Sequence, residues 1–135
     1  MQLDASGLQV LSREECFGLL STTPIGRIVF TEHALPAVQP VNFRLDGQSI
    51  VIRTSMDSKL ATATRHSVVA FEADELDPEL RTGWSVTAVG QARPVTDPDE
   101  IDRLAALPLT TWAPGGRDQY IVVDTAQLSG RRITL

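Results

Sequence analysis

The stretch Val41-Asn42-Phe43-Arg44-Leu45-Asp46-Gly47-Gln48-Ser49-Ile50-Val51-Ile52-Arg53-Thr54 reads as two strands around a tight turn. Apolar side chains alternate on both sides of Asp46-Gly47, and Asp-Gly between alternating runs is a strong type I′ hairpin signal. A two-residue Asp46-Gly47 loop pairs Leu45 with Gln48, Phe43 with Ile50 and Val41 with Ile52, and side chains that pair share one face. That face is mostly apolar and is expected to meet the core. The other face carries Asn42, Arg44, Ser49, Val51 and Arg53. It could meet water, or it could line a ligand site.

Working outward, four more β-rich runs follow the same logic: Gly26 to Thr31, Ser67 to Glu72, Trp84 to Arg93 and Tyr120 to Asp124. Ser12-Arg13-Glu14-Glu15 reads as a capping box opening a helix through about Ser21, with Cys16, Leu19 and Leu20 turned inward. Ser58 caps a second short helix starting at Lys59, and Asp97-Pro98-Asp99-Glu100 opens a third that Pro108 stops. Residues 76–83 read as a polar loop, residues 1–11 as an extended lead-in and the residues after Asp124 as a tail. Roughly six strands joined by short turns, with three short helices, point to a mainly β (α+β) antiparallel barrel and not to a doubly wound sheet.

The 135 residues fit one domain, 1–135, with one buried core. Hydrophobic residues make up 42% and charged residues 21%, which argues against disorder. A net charge of −5 makes nucleic acid or an anionic membrane a poor partner for the whole chain. Cys16 is the only cysteine, so no internal disulfide is expected, and with only His33 and His66 as histidines no metal site is expected. The Met1-Gln2-Leu3-Asp4 opening has neither a basic start nor a long apolar run, so a cytoplasmic location is expected. His33 reads as a solvated turn residue, and Glu72, Asp74, Glu75 and Asp77 as a solvated acidic loop.

Chemistry concentrates in Arg53-Thr54-Ser55-Met56-Asp57-Ser58-Lys59, where a strand turns into a helix. Arg53 offers a planar fork for phosphate and Lys59 a point charge. Three hydroxyls and unpaired helix N–H groups surround them. The same residues also describe a capped helix with two solvated cations. The glycine fingerprints of dinucleotide and P-loop sites are absent.

Arg53-Thr54-Ser55 with Ser58-Lys59-Leu60 resembles the strand-to-helix phosphate motif of the FMN-binding split β-barrels related to pyridoxamine 5′-phosphate oxidase. Gly83-Trp84-Ser85-Val86 with Gly90-Gln91-Ala92 resembles that family's next block. Trp112-Ala113-Pro114-Gly115, Arg117-Asp118 and the ending Ser129-Gly130-Arg131-Arg132-Ile133 resemble the closing pattern of a small-protein branch. Asp57 departs from the pattern, which carries a small or uncharged residue there.

This resemblance implies a six-stranded antiparallel split β-barrel and a homodimer with flavin at the subunit interface. It implies phosphate contacts from Arg53, Thr54, Ser55, Ser58 and Lys59, and Asn42 and the Val41 backbone beside the flavin ring. Trp84 and Ser85 would lie near the ring edge, with Trp112 covering the cofactor from the other subunit. It implies a flavin-dependent oxidoreductase acting on a small molecule. Relatives of this barrel bind deazaflavin or haem, and a non-catalytic flavin-binding module is a further alternative. The substrate-phosphate residues of the oxidase itself are not found in this chain.

Overall fold

A computed structural model describes residues 1–109 and 118–133. In chain order its elements are β1 (Gln9–Val10), α1 (Arg13–Leu20), β2 (Ile25–Glu32), β3 (Leu35–Asp46), β4 (Ser49–Ser55) and α2 (Lys59–Ala63). They continue with β5 (Ser67–Asp77), β6 (Thr82–Pro94), α3 (Pro98–Ala105), β7 (Asp118–Val123) and β8 (Gln127–Ile133). All strand pairs are antiparallel, in the order β1-β8-β6-β5-β2-β3-β4-β7. A further β6–β7 pairing returns to the middle of that order and closes β2 to β7 into a six-stranded barrel.

One edge of β6 is divided between two partners. Gly83 to Val89 pair with β8, and Ala92 to Pro94 pair with β7. Gly90 lies at the division, where the chain turns the corner between β7 and β8. A Cβ at Gly90 would lie 2.2 Å from the Asp124 carbonyl oxygen, so only glycine lets that backbone come so close. The Asp124 N–H then donates to the Gln91 carbonyl at 2.9 Å. Arg13 of α1 ties the same corner down, donating to the Thr125 carbonyl at 2.9 Å, and the Thr125 hydroxyl donates to the Gln48 carbonyl at 2.6 Å.

The barrel interior holds Ile28, Phe43, Ile50, Ile52, Phe71, Val86 and Ile121, all essentially inaccessible to water. Phe43 and Phe71 meet edge to face at 4.7 Å between ring centroids, a favoured aromatic geometry. α1 forms with the expected capping box complete. It buries Cys16 and Leu20, and the Cys16 sulfur packs over Gly130.

The hairpin turn differs from the sequence expectation. Phe43 pairs with Ile52, Leu45 with Ile50 and Asp46 with Ser49, so the loop is Gly47-Gln48. Gly47 takes φ +59 at the first loop position, the place a Gly-X turn assigns to glycine. Arg103 of α3 pairs with Asp46 and holds it in the strand. The shift is two residues on one strand, so each side chain keeps its expected face.

The outer face was only partly legible. Val51 does not sit on a polar surface: with Val95, Leu104, Leu109, Tyr120 and Val122 it forms a second core beneath α3. Arg93 clamps α3 through paired hydrogen bonds of 3.0 and 2.8 Å to Glu100. Of the residues read as a polar loop, 76–83, the outer four extend the β5–β6 hairpin out to Asp77↔Thr82, and residues 78–81 form its turn. β8 replaces the expected tail. No helix among the described residues is long and apolar enough to cross a membrane.

Because Gly90 faces a backbone carbonyl and not a movable side chain, Gly90→Ala should destabilise the fold by about 1–3 kcal/mol or more. A urea denaturation midpoint equal to that of the parent would contradict the close approach.

Candidate functional site

Consecutive residues of a strand point to opposite sides, and this separates the phosphate candidates. Thr54 faces inward and is buried. Its hydroxyl donates to Ser58 Oγ at 3.0 Å, and Ser58 Oγ accepts from the Ala61 N–H at 2.9 Å. Thr54 therefore supports the Ser58 cap and fixes where α2 begins. Ser55 Oγ accepts from the Asp57 N–H at 3.3 Å, closing the turn before that cap.

Ser58 and Lys59 open onto a cavity of about 300 Å³ that also touches Thr31, Glu32, His33 and Asp57. Lys59 Nζ lies 4.0 Å from Glu32 Oε1, and the lysine side chain is 85% exposed. His33 and Ala34 make the β2–β3 turn with φ of 50° and 65°. Paired positive φ values suit a two-residue hairpin turn, and side chains other than glycine, asparagine and aspartate rarely adopt them. His33 is exposed in this turn, as expected, and also stands at the cavity edge.

Arg53 faces outward, beside β7. It forms an ion pair from Nη2 to Asp118 and donates from Nη1 to the Leu109 carbonyl at 3.0 Å. Its guanidinium sits over the Tyr120 ring, 5.9 Å from the centroid. Arg53 Nε is shut from solvent and makes no hydrogen bond. The Asp118 hydrogen bond pushes the arginine further toward its charged form. Asp118 was not singled out from the sequence as a partner of Arg53. It lies far away in sequence, and only the β4–β7 pairing brings it near.

Asn42 lies on the same outer face, one residue beyond the last β3–β4 pair, Phe43↔Ile52. Val41 is buried in the core, as its place in the alternation requires. Trp84 points inward as a core residue, while Ser85 lies on the outer face of β6 between Asp74 and Arg131. Trp112 lies outside the described residues. Asn42 pairs at the Ile25 end of β2, whereas the Lys59 cavity lies at the Glu32 end. At ~3.3 Å per residue that separation is on the order of 20 Å. Among the described residues, one chain alone does not gather the candidates into one cavity. His33 and His66 line separate cavities.

The acidic run is a strand, not a loop. Glu72 and Asp74 share the outer face of β5, and Arg27 of β2 approaches them at 3.2 and 3.4 Å. Burial and a hydrogen bond that the protonated Glu72 carboxyl donates to the neighbouring Asp74 carboxylate push Glu72 up to about 7, against the pull of Arg27. Arg27 is half exposed, so water screens its attraction.

These features define a class: a closed antiparallel barrel with a hydroxyl- and lysine-bearing cavity beside a short capped helix, and an arginine fork on its outer wall. A family model described as pyridoxamine 5′-phosphate oxidase matches residues 12–132. The chain belongs to that family. An uncharacterised protein of Mycobacterium tuberculosis, Rv0080, is 40% identical over 128 residues, covering 91% of this chain and 84% of the relative. The FAD binding protein of Mycobacterium smegmatis superposes with a TM-score of 0.83 at 33% identity, covering 94% of this chain and 99% of that one. A conserved protein of unknown function from Corynebacterium diphtheriae superposes with a TM-score of 0.79 at 29% identity, covering 94% and 98%.

The raised Glu72 titration has a defined sign. Its contribution to stability is complete below the ordinary value of 4.5 and is lost as pH rises through about 7. Glu72→Gln should therefore unfold at higher urea than the parent at pH 8, with the advantage shrinking toward pH 5. An equal midpoint difference at both pH values would contradict the assignment.

Proposed function

We propose that this chain binds a flavin nucleotide, FMN in the first reading, as a homodimer that carries out oxidation or reduction of a small molecule. The observation that carries the reading is the cavity where Ser58 and Lys59 meet, buttressed by buried Thr54. The residues fit a phosphorylated ligand. Lys59 is an exposed cation and Ser58 a hydroxyl; Arg53, on the outer wall and not among the residues that line this cavity, holds a further buried donor with no partner. Flavin supplies hydride or electron transfer when bound, and the protein supplies position and electrostatics. That division of labour requires no nucleophile-and-base pair, and none is evident among the described residues.

The homodimer rests on two observations. Asn42 and Lys59 lie at opposite ends of β2, so a second subunit is the simplest source of the missing wall. Val38, Val29, Ala70 and Val89 also stand in register across four strands on the outer face, with Val38 and nearby Val68 each 63% exposed. A continuous apolar row facing water marks an interaction surface. A second reading, FAD in place of FMN, draws on the FAD binding protein at 33% identity.

Fluorescence titration with riboflavin, FMN and FAD separates these readings. The first reading expects FMN to bind at least as tightly as FAD, and FAD binding more than about tenfold tighter favours the second. Lys59→Ala should weaken FMN by roughly 10- to 100-fold, the worth of a hydrogen bond to a charged group. Unchanged affinity would remove Lys59 from the phosphate site.

A further inference from the structure

The guanidinium of Arg53 is used unevenly. On one side Nη1 is anchored by the Leu109 carbonyl at 3.0 Å. On the side edge, Nη2 takes a single oxygen of Asp118 while Nε is buried and unbonded. A side edge of arginine offers two parallel N–H donors, and a phosphate with two oxygens in reach satisfies both. Asp118 satisfies one.

We propose that Asp118 is a resident carboxylate that competes with ligand phosphate for Arg53, and so sets how strongly the chain prefers a phosphorylated flavin to an unphosphorylated one. This rests on the flavin reading given above. Asp118 is the first residue of β7 and its side chain is about a third exposed. It can rotate into water without unzipping the β4–β7 ladder. Leu109 and the Tyr120 ring keep the guanidinium in place as it leaves. Two anions on one edge repel, so phosphate and Asp118 occupy it in turn. Asp118 is a specificity-determining residue here, acting through Arg53 and not by touching the reacting atoms.

Asp118→Asn keeps the shape and removes the competing charge. It should tighten FMN by about tenfold and leave riboflavin, which lacks the phosphate, within about twofold. In an Arg53→Ala background the same change should have no effect on FMN, because the contested donor is gone. An FMN-to-riboflavin ratio equal to the parent's would overturn the proposal. Asp118→Ser is the companion variant should the asparagine protein fold poorly. Inorganic phosphate reads the anion step without flavin: it should raise the thermal midpoint of Asp118→Asn more than that of the parent. If no variant binds any flavin while phosphate still separates them, the flavin reading falls and the role of Asp118 stands. Equal phosphate responses overturn that role.

Discussion

The fold depends on one close backbone contact, the Asp124 carbonyl against Gly90. There β6 changes partner, from β8 to β7, and the barrel closes. Without that contact β7 would bond only to β4, and the interior packed by Phe43, Phe71 and Ile121 would open along one seam. β7 in turn carries Tyr120 and Asp118 to the outer wall of β4, where they meet Arg53. The closure of the barrel and the geometry around its arginine fork therefore share one origin.

Much of this was legible in the sequence. Alternation at Phe43, Leu45, Ile50 and Ile52 gave the inner face correctly even though the turn moved by one residue, because a two-residue shift preserves side-chain direction. Ser12 and Ser58 announced their helices through local capping chemistry. The front half of β3 was hidden by Pro36 and Pro40, residues that seldom sit in central strands. Both lie where β3 pairs only with β2, so their missing N–H groups cost no ladder bond on the other side. β8 was hidden by Gln127, Ser129, Arg131 and Arg132, which read as a polar tail.

The candidate site was legible only in its local part. Thr54, Ser58 and Lys59 lie within six residues, and a turn-to-helix signal was enough to group them. Arg53 belongs to the same run, but strand alternation turns it away from Thr54 and toward β7. Its partners Asp118 and Leu109 depend on the long-range order of strands, which no local pattern contains. The same applies to Glu72 and Asp74: their polarity suggested a loop, whereas Phe71 and Ala73 beside them fill the barrel.

The most direct test of the account is the visible absorption spectrum of the untagged protein after incubation with FMN and gel filtration. The account predicts a flavin spectrum with about one flavin per chain, co-eluting in a dimer-sized peak. A colourless protein eluting at the size of a single chain would contradict it.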